Sequence, residues 1–117
     1  MKKINGTFLS SNEKSQTAYY IFEPDSPRAV IQLSHGMCEY VERYSEHAEY
    51  FCSQGFVFAG NDHIGHGKTA QSEDELGFIE RSSDLTDDLA KFTDILKERY
   101  PDLPIFLLGH SMGSFVL

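Results

Sequence analysis

A serine between two glycines near the end of the sequence is the clearest candidate for chemistry. Residues 109–113 read Gly-His-Ser-Met-Gly and fit the pattern Gly-x-Ser-x-Gly, with Ser111 at the centre. A serine hydroxyl attacks a carbonyl carbon only if it projects from a tight turn where a base can reach it. Gly109 and Gly113 leave room at such a turn, where a side chain would clash with neighbouring backbone. The pattern predicts a nucleophile at Ser111, and the alternative is an ordinary serine in a glycine-rich turn.

A second loop is expected to help bind the oxyanion that such a nucleophile creates. Residues 35–39 read His-Gly-Met-Cys-Glu. Gly36 allows a close backbone approach, so the N–H of Met37 is the best candidate donor beside the N–H of Met112, which follows the serine. The alternative is a helix-entry turn with no catalytic part. Cys38 could be read as a nucleophile, but nothing in the sequence supplies a base for it.

A third loop, at residues 62–67, allows a metal-binding interpretation. It contains Asp62, His63 and His66, and histidine and carboxylate side chains suit zinc. Their spacing is not that of a recognised structural zinc site. We therefore expect a turn in which glycines adopt positive φ and the imidazoles hydrogen-bond to backbone, with no metal bound.

A parallel sheet is predicted to position these three loops. Two strands at residues 6–10 and 17–22 are joined by a polar turn. Short apolar strands then alternate with helices, which indicates an α/β fold with right-handed crossovers. The apolar strands cover residues 29–33, 56–60 and 105–108, and the helices cover residues 41–54 and 84–99. Ligand sites in such sheets lie beyond the carboxyl ends of the strands, where all three loops fall.

Each predicted helix carries one apolar face. In the first helix this face consists of Tyr44, Ala48, Phe51 and Cys52. In the second helix it consists of Leu85, Leu89, Phe92 and Leu96. Gly55 suits the end of the first helix, and Ser83 can cap the start of the second. The carboxylates of the second helix are interpreted as a solvated face, namely Asp84, Asp87, Asp88, Asp94 and Glu98.

The composition excludes several classes of protein. The chain has 117 residues, enough for one domain with a core, and its formal net charge of -8 repels phosphate, so nucleic acid is not an expected partner. No apolar run approaches the length that spans a membrane, and no apolar signal segment follows the first residues. The two cysteines, Cys38 and Cys52, are interpreted as free thiols in the cytoplasm.

Together the three loops resemble the monoacylglycerol lipase and lysophospholipase group of α/β-hydrolases, close to the serine aminopeptidase-like branch. The matching segments are residues 35–39, 62–67, 100–104 and 107–113. The resemblance implies the N-terminal portion of an α/β-hydrolase fold, a mostly parallel sheet with helices on both faces. Residues 1–117 would form the N-terminal part of a single domain. They would stop just after the nucleophile turn, without the C-terminal strands and cap region.

The resemblance also implies roles for individual residues. Ser111 would be the nucleophile, and the N–H groups of Met37 and Met112 would form the oxyanion hole. The residues that would support this turn and loop are His35, Gly36, Gly109, His110 and Gly113. In the family the acid and then the base follow the serine, so no residue here matches either of them.

The implied function is hydrolysis of a carboxylic ester, a monoacylglycerol or a lysophospholipid, through an acyl-enzyme and without a cofactor. Two alternatives stay open, a catalytically inactive fragment or interaction module, and a metal-dependent hydrolase that uses Asp62, His63 and His66. The expected partner is a small acyl ester or lysolipid. The apolar strand at residues 105–108 would be an open sheet edge, so self-association or pairing with the missing C-terminal half is expected.

Overall fold

The computed structural model describes residues 1–13, 16–35, 40–63, 66, 69 and 82–109. The strands are β1 (Lys2–Leu9), β2 (Gln16–Glu23), β3 (Ala29–Ser34), β4 (Phe56–Asn61) and β5 (Ile105–Gly109). A 3-10 turn (Val41–Tyr44) leads into α1 (Ser45–Ser53), and α2 (Ser82–Arg99) precedes β5. Within this described part, no helix is long and apolar enough to cross a bilayer.

The five strands form one mixed sheet in the order β1-β2-β4-β3-β5. The hairpin of β1 and β2 is antiparallel and joins β4 antiparallel, whereas β4, β3 and β5 run parallel to one another. The predicted α/β fold class is therefore confirmed. The first strand begins earlier than predicted, because Lys2 pairs with Glu23 and Lys3 with Phe22 across the hairpin.

The two helices cover opposite faces of this sheet, as the resemblance implies. Successive strand residues point to opposite faces, so Tyr20 and Phe22 pack on the side of α1 and Ile21 packs on the side of α2. On α1, Ala48 and Cys52 are buried, and on α2 the predicted apolar face is buried throughout.

The end of α1 follows the sequence prediction, whereas the start of α2 does not. Gly55 adopts a φ of 85°, in the left-handed region that favours glycine, and its N–H donates to the carbonyl of Cys52 at 3.0 Å. The helix α2 begins at Ser82, so Ser83 lies within the first turn and is not the capping residue.

Two of the carboxylates interpreted as solvated are buried, which corrects the sequence interpretation of α2. Asp84 is 2% exposed and Asp88 is fully buried. The Asp88 carboxylate accepts hydrogen bonds from the Ser10 hydroxyl at 2.6 Å and from the Ser11 N–H at 2.7 Å. Asp88 lies three residues after Leu85, on the apolar side of the helix, and the β1–β2 turn supplies the donors that make its burial possible.

Removing this carboxylate should destabilise the protein. We expect Asp88→Ala to lower the free energy of unfolding by about 2–3 kcal/mol, because it leaves the buried Ser10 hydroxyl and the half-buried Ser11 N–H without an acceptor. Asp87→Ala, on the exposed side of the same helix, is the matched control and should change stability by less than about 0.5 kcal/mol. Urea unfolding of the purified protein measures both changes, and equal losses would contradict the role given to Asp88.

Candidate active site

The carboxyl ends of the three parallel strands meet at one edge of the sheet. Ser34 pairs with Gly109 across β3 and β5, and Leu33 pairs with Gly60 across β3 and β4. This register brings His35, which follows β3, and the loop that follows β4 to the same edge at which β5 ends. Among the predicted site residues, His35 and Gly109 are therefore brought together.

The other predicted site residues cannot be compared with the structure in this way. They lie outside the described residues and are Gly36, Met37, His110, Ser111, Met112 and Gly113. The nucleophile, both oxyanion donors and their supporting glycines thus remain predictions.

Three buried imidazoles form the centre of the described edge, and we refer to His35, His63 and His66 as the imidazole cluster. Each of them is at most 2% exposed. The ring centroids lie 4.2 Å apart for His35 and His63, and 5.3 Å apart for His35 and His66. Neutral imidazoles tolerate such close packing, whereas imidazolium ions would repel one another.

Hydrogen bonds fix two of these rings. The backbone N–H of His63 donates to Nε2 of His35 at 2.9 Å, so His35 is a neutral imidazole with its proton on Nδ1. The imidazoles predicted to hydrogen-bond to backbone were those of residues 62–67, whereas the ring that accepts from backbone here is that of His35. Nε2 of His63 lies 3.2 Å from the hydroxyl oxygen of Ser34.

The carboxylate of Asp62 caps the start of the 3-10 turn that precedes α1. Its Oδ1 accepts a hydrogen bond from the N–H of Val41 at 2.7 Å, as a capping residue does at a helix start. The Thr69 hydroxyl donates to the Asp62 carbonyl at 2.7 Å and accepts from the N–H of Ala18 at 3.0 Å. These contacts join β2, β4 and the start of the 3-10 turn.

Two of the three side chains considered as metal ligands, Asp62 and His63, therefore contact other parts of the protein. Asp62 faces Val41, and Nε2 of His63 faces Ser34. Within the described ranges, no group of three histidine, cysteine or carboxylate side chains has an arrangement that could hold a metal ion.

His63 is neutral at physiological pH. Burial lowers the pKa of this imidazole to about 3, with smaller contributions in the same direction from His35 and His66. A general base works best with a pKa near the operating pH. His63 is therefore unsuited to take a proton from a serine hydroxyl, in agreement with its exclusion as the base.

The lowered pKa of His63 should make the folded protein less stable in acid. Between pH 6.5 and about 3 the unfolded chain binds a proton at His63 and the folded protein does not, so acid favours unfolding. We expect the free energy of unfolding to fall by roughly 1.4 kcal/mol per pH unit from this residue below pH 6.5, with no contribution above it. Urea unfolding at several pH values should give a shallower decline in His63→Gln. Parallel curves for the two proteins would contradict the prediction.

Sequence reasoning missed three polar residues that complete this edge. Ser34 and Asn61 are the last residues of mostly apolar strands and are fully buried, and Thr69 is 1% exposed. No described residue hydrogen-bonds to the side-chain amide of Asn61. A polar residue at the last position of a buried strand is the signal that could have identified Ser34 and Asn61, because a buried polar group there requires a partner from a loop.

Comparison with known proteins agrees with this architecture. Residues 25–117 match the family model described as serine aminopeptidase, S33. The chain is 38% identical to monoglyceride lipase of Mus musculus over 91 residues, which cover 78% of this chain and 29% of that protein. It is 37% identical to phospholipase YtpA of Bacillus subtilis over 97 residues, which cover 83% of this chain and 36% of that protein.

A solved structure shows the same fold. A thermostable carboxyl esterase from Bacillus coagulans, in complex with glycerol, superposes with a TM-score of 0.90 at 36% identity. The match covers 99% of this chain and 38% of the esterase. The chain spans about a third of the length of the curated relatives it matches. The family match, the relatives and the shared fold together show that this chain belongs to the serine aminopeptidase S33 family of α/β-hydrolases, and the relatives named above are ester hydrolases.

Proposed function

We propose that the full protein is a serine hydrolase that cleaves carboxylic esters, with Ser111 as its nucleophile. The observation that carries the proposal is the pairing of Gly109 with Ser34 at the carboxyl edge of the sheet. Ser111 follows Gly109 by two residues, and the loop with the proposed oxyanion donor begins directly after His35. Nucleophile and donor would therefore start from adjacent strand ends, which the reaction requires.

The proposed reaction proceeds through an acyl-enzyme. The hydroxyl oxygen of Ser111 attacks the ester carbonyl carbon while its proton passes to a histidine base, and the carbonyl oxygen becomes an oxyanion held by the N–H groups of Met37 and Met112. The C–O bond to the alcohol then breaks, and the alcohol leaves with the proton from the base. Water attacks the acyl-enzyme in the same way, which releases the carboxylic acid and restores Ser111. In the family order the acid and base lie after Ser111.

A monoacylglycerol is the substrate class we propose. The relative from Mus musculus is named a monoglyceride lipase, and the net charge of -8 on this chain favours a neutral glycerol headgroup over an anionic one. A lysophospholipid is the second candidate, because the relative from Bacillus subtilis is named a phospholipase. No cofactor takes part in the proposed steps.

We also propose that residues 1–117 form the N-terminal part of a single hydrolase domain that acts in the cytoplasm. Strand β5 is at the sheet edge, and Phe106, Leu107 and Leu108 are 58%, 49% and 41% exposed. An apolar edge of this kind favours pairing with further strands of the domain or with a second copy. The buried Cys52 is a free thiol, which suits a reducing compartment.

A fluorophosphonate probe and two lipid substrates test the proposed function. We expect the full protein to be labelled at Ser111 and to release fatty acid from monooleoylglycerol faster than from oleoyl-lysophosphatidylglycerol, whose headgroup is anionic. Faster release from the lysophospholipid would support the second candidate. Equal labelling of wild type and Ser111→Ala would show that the nucleophile is assigned wrongly.

A further inference from the structure

His63 joins the ends of two neighbouring strands. Its backbone N–H donates to Nε2 of His35 at 2.9 Å, and its own Nε2 lies 3.2 Å from the hydroxyl oxygen of Ser34. One residue just after β4 therefore contacts two consecutive residues at the end of β3. All three residues are fully buried, so water does not compete for these hydrogen bonds.

The two residues that His63 contacts, Ser34 and His35, lie next to the two parts of the proposed site, the nucleophile turn and the oxyanion loop. Ser34 pairs with Gly109, two residues before Ser111, and His35 directly precedes the proposed oxyanion loop. We propose that His63 is a positioning residue that keeps the oxyanion loop and the nucleophile turn at a fixed separation during ester hydrolysis. This inference rests on the proposed function and adds to it a residue that does not touch the substrate.

The surroundings of His63 indicate which ring nitrogen carries its proton. Nε2 faces the Ser34 hydroxyl, whereas no described residue hydrogen-bonds to the buried Nδ1. A buried N–H without an acceptor is rarer than a buried acceptor without a donor. We therefore assign the proton to Nε2, which donates to Ser34. Since burial keeps the pKa of His63 near 3, this donor is retained throughout the pH range of an esterase assay.

The assignment makes a selective test possible, because glutamine can supply the same donor. The side-chain amide nitrogen of His63→Gln can reach toward Ser34 from about the position of Nε2. His63→Leu fills a comparable volume and donates nothing. The backbone N–H that contacts His35 is present in every variant, so the two substitutions differ only in the side-chain link.

The test measures kcat, KM and the rate of fluorophosphonate labelling in the full protein. We expect His63→Leu to lower kcat about 10- to 100-fold and to slow labelling with KM nearly unchanged, because small displacements of reacting groups have effects of this size. His63→Gln should recover most of kcat. Ser34→Ala should lower kcat as well, and the double variant with His63→Leu should lose less than the product of the two single effects, as residues that act through one contact do.

A matched variant separates positioning from general loss of stability. Val57 is fully buried near the other end of β4, so Val57→Ala should be less stable than wild type and keep its kcat. The inference is overturned if His63→Leu has the kcat of wild type, or if His63→Gln is impaired as much as His63→Leu. In either case, the proposed function still holds if turnover by the wild-type protein depends on Ser111. A wild-type protein without such turnover overturns the proposed function, and this inference with it.

Discussion

Replacing Ser111 with alanine should lower kcat for monooleoylglycerol hydrolysis by roughly 10⁴- to 10⁶-fold. Without the hydroxyl no acyl-enzyme forms, and only the oxyanion donors and substrate binding remain to assist attack by water. Fatty acid release from the full protein measures the change, with enzyme concentration set by the folded fraction. A loss of less than about tenfold would place the nucleophile elsewhere.

A second serine gives the matched control for this experiment. Ser83 lies in the first turn of α2 with an exposed side chain, distant in the sequence from the proposed nucleophile. Ser83→Ala removes the same hydroxyl group from a surface position, so it should leave kcat and labelling unchanged. A comparable loss in both variants would indicate an effect on folding and not on the reaction.

Replacing Phe92 with alanine should lower the free energy of unfolding by about 3–5 kcal/mol. Phe92 is fully buried on α2, and its ring lies 5.1 Å from that of Tyr19 and 6.5 Å from that of Phe8. Truncation therefore removes the ring contacts of Phe92 with both strands of the hairpin and leaves a cavity. Chemical unfolding followed by circular dichroism measures the loss. Thr86→Ala, at an exposed position of α2, should change stability by less than about 0.5 kcal/mol.

The parts of this fold that depend on local sequence could be predicted. The apolar run of β3 and the apolar face of α2 were predicted to within two residues at each end, because burial on both strand faces or on one helix face gives a local pattern. The shared sheet edge at which the three loops begin could also be predicted. Their position follows from strand order and does not require knowledge of any side-chain contact.

The contacts within the candidate site could not be predicted in the same way. His35 and His63 are 28 residues apart, and only the parallel pairing of β3 with β4 brings their rings within 4.2 Å. Asp88 was misjudged for a related reason, since its donors come from a turn 77 and 78 residues earlier in the chain. Acidic residues on a helix are usually solvated. The residues near Asp88 in the sequence give no sign that Ser10 and Ser11 donate hydrogen bonds to it.

The strand order β1-β2-β4-β3-β5 also sets the sequence in which the sheet can assemble. The hairpin closes between Leu9 and Gln16, so its strands meet within microseconds once the turn forms. By contrast, the partner of β5 among the described strands is β3, and this pair joins Val30 to Ile105, which is 75 residues later in the sequence. Because closing a long loop costs entropy before any contact compensates, we expect the β3–β5 pairing to be the slowest among the described strand pairs. During synthesis β3 therefore stays open on the side that leads to Ser111 until β5 has left the ribosome.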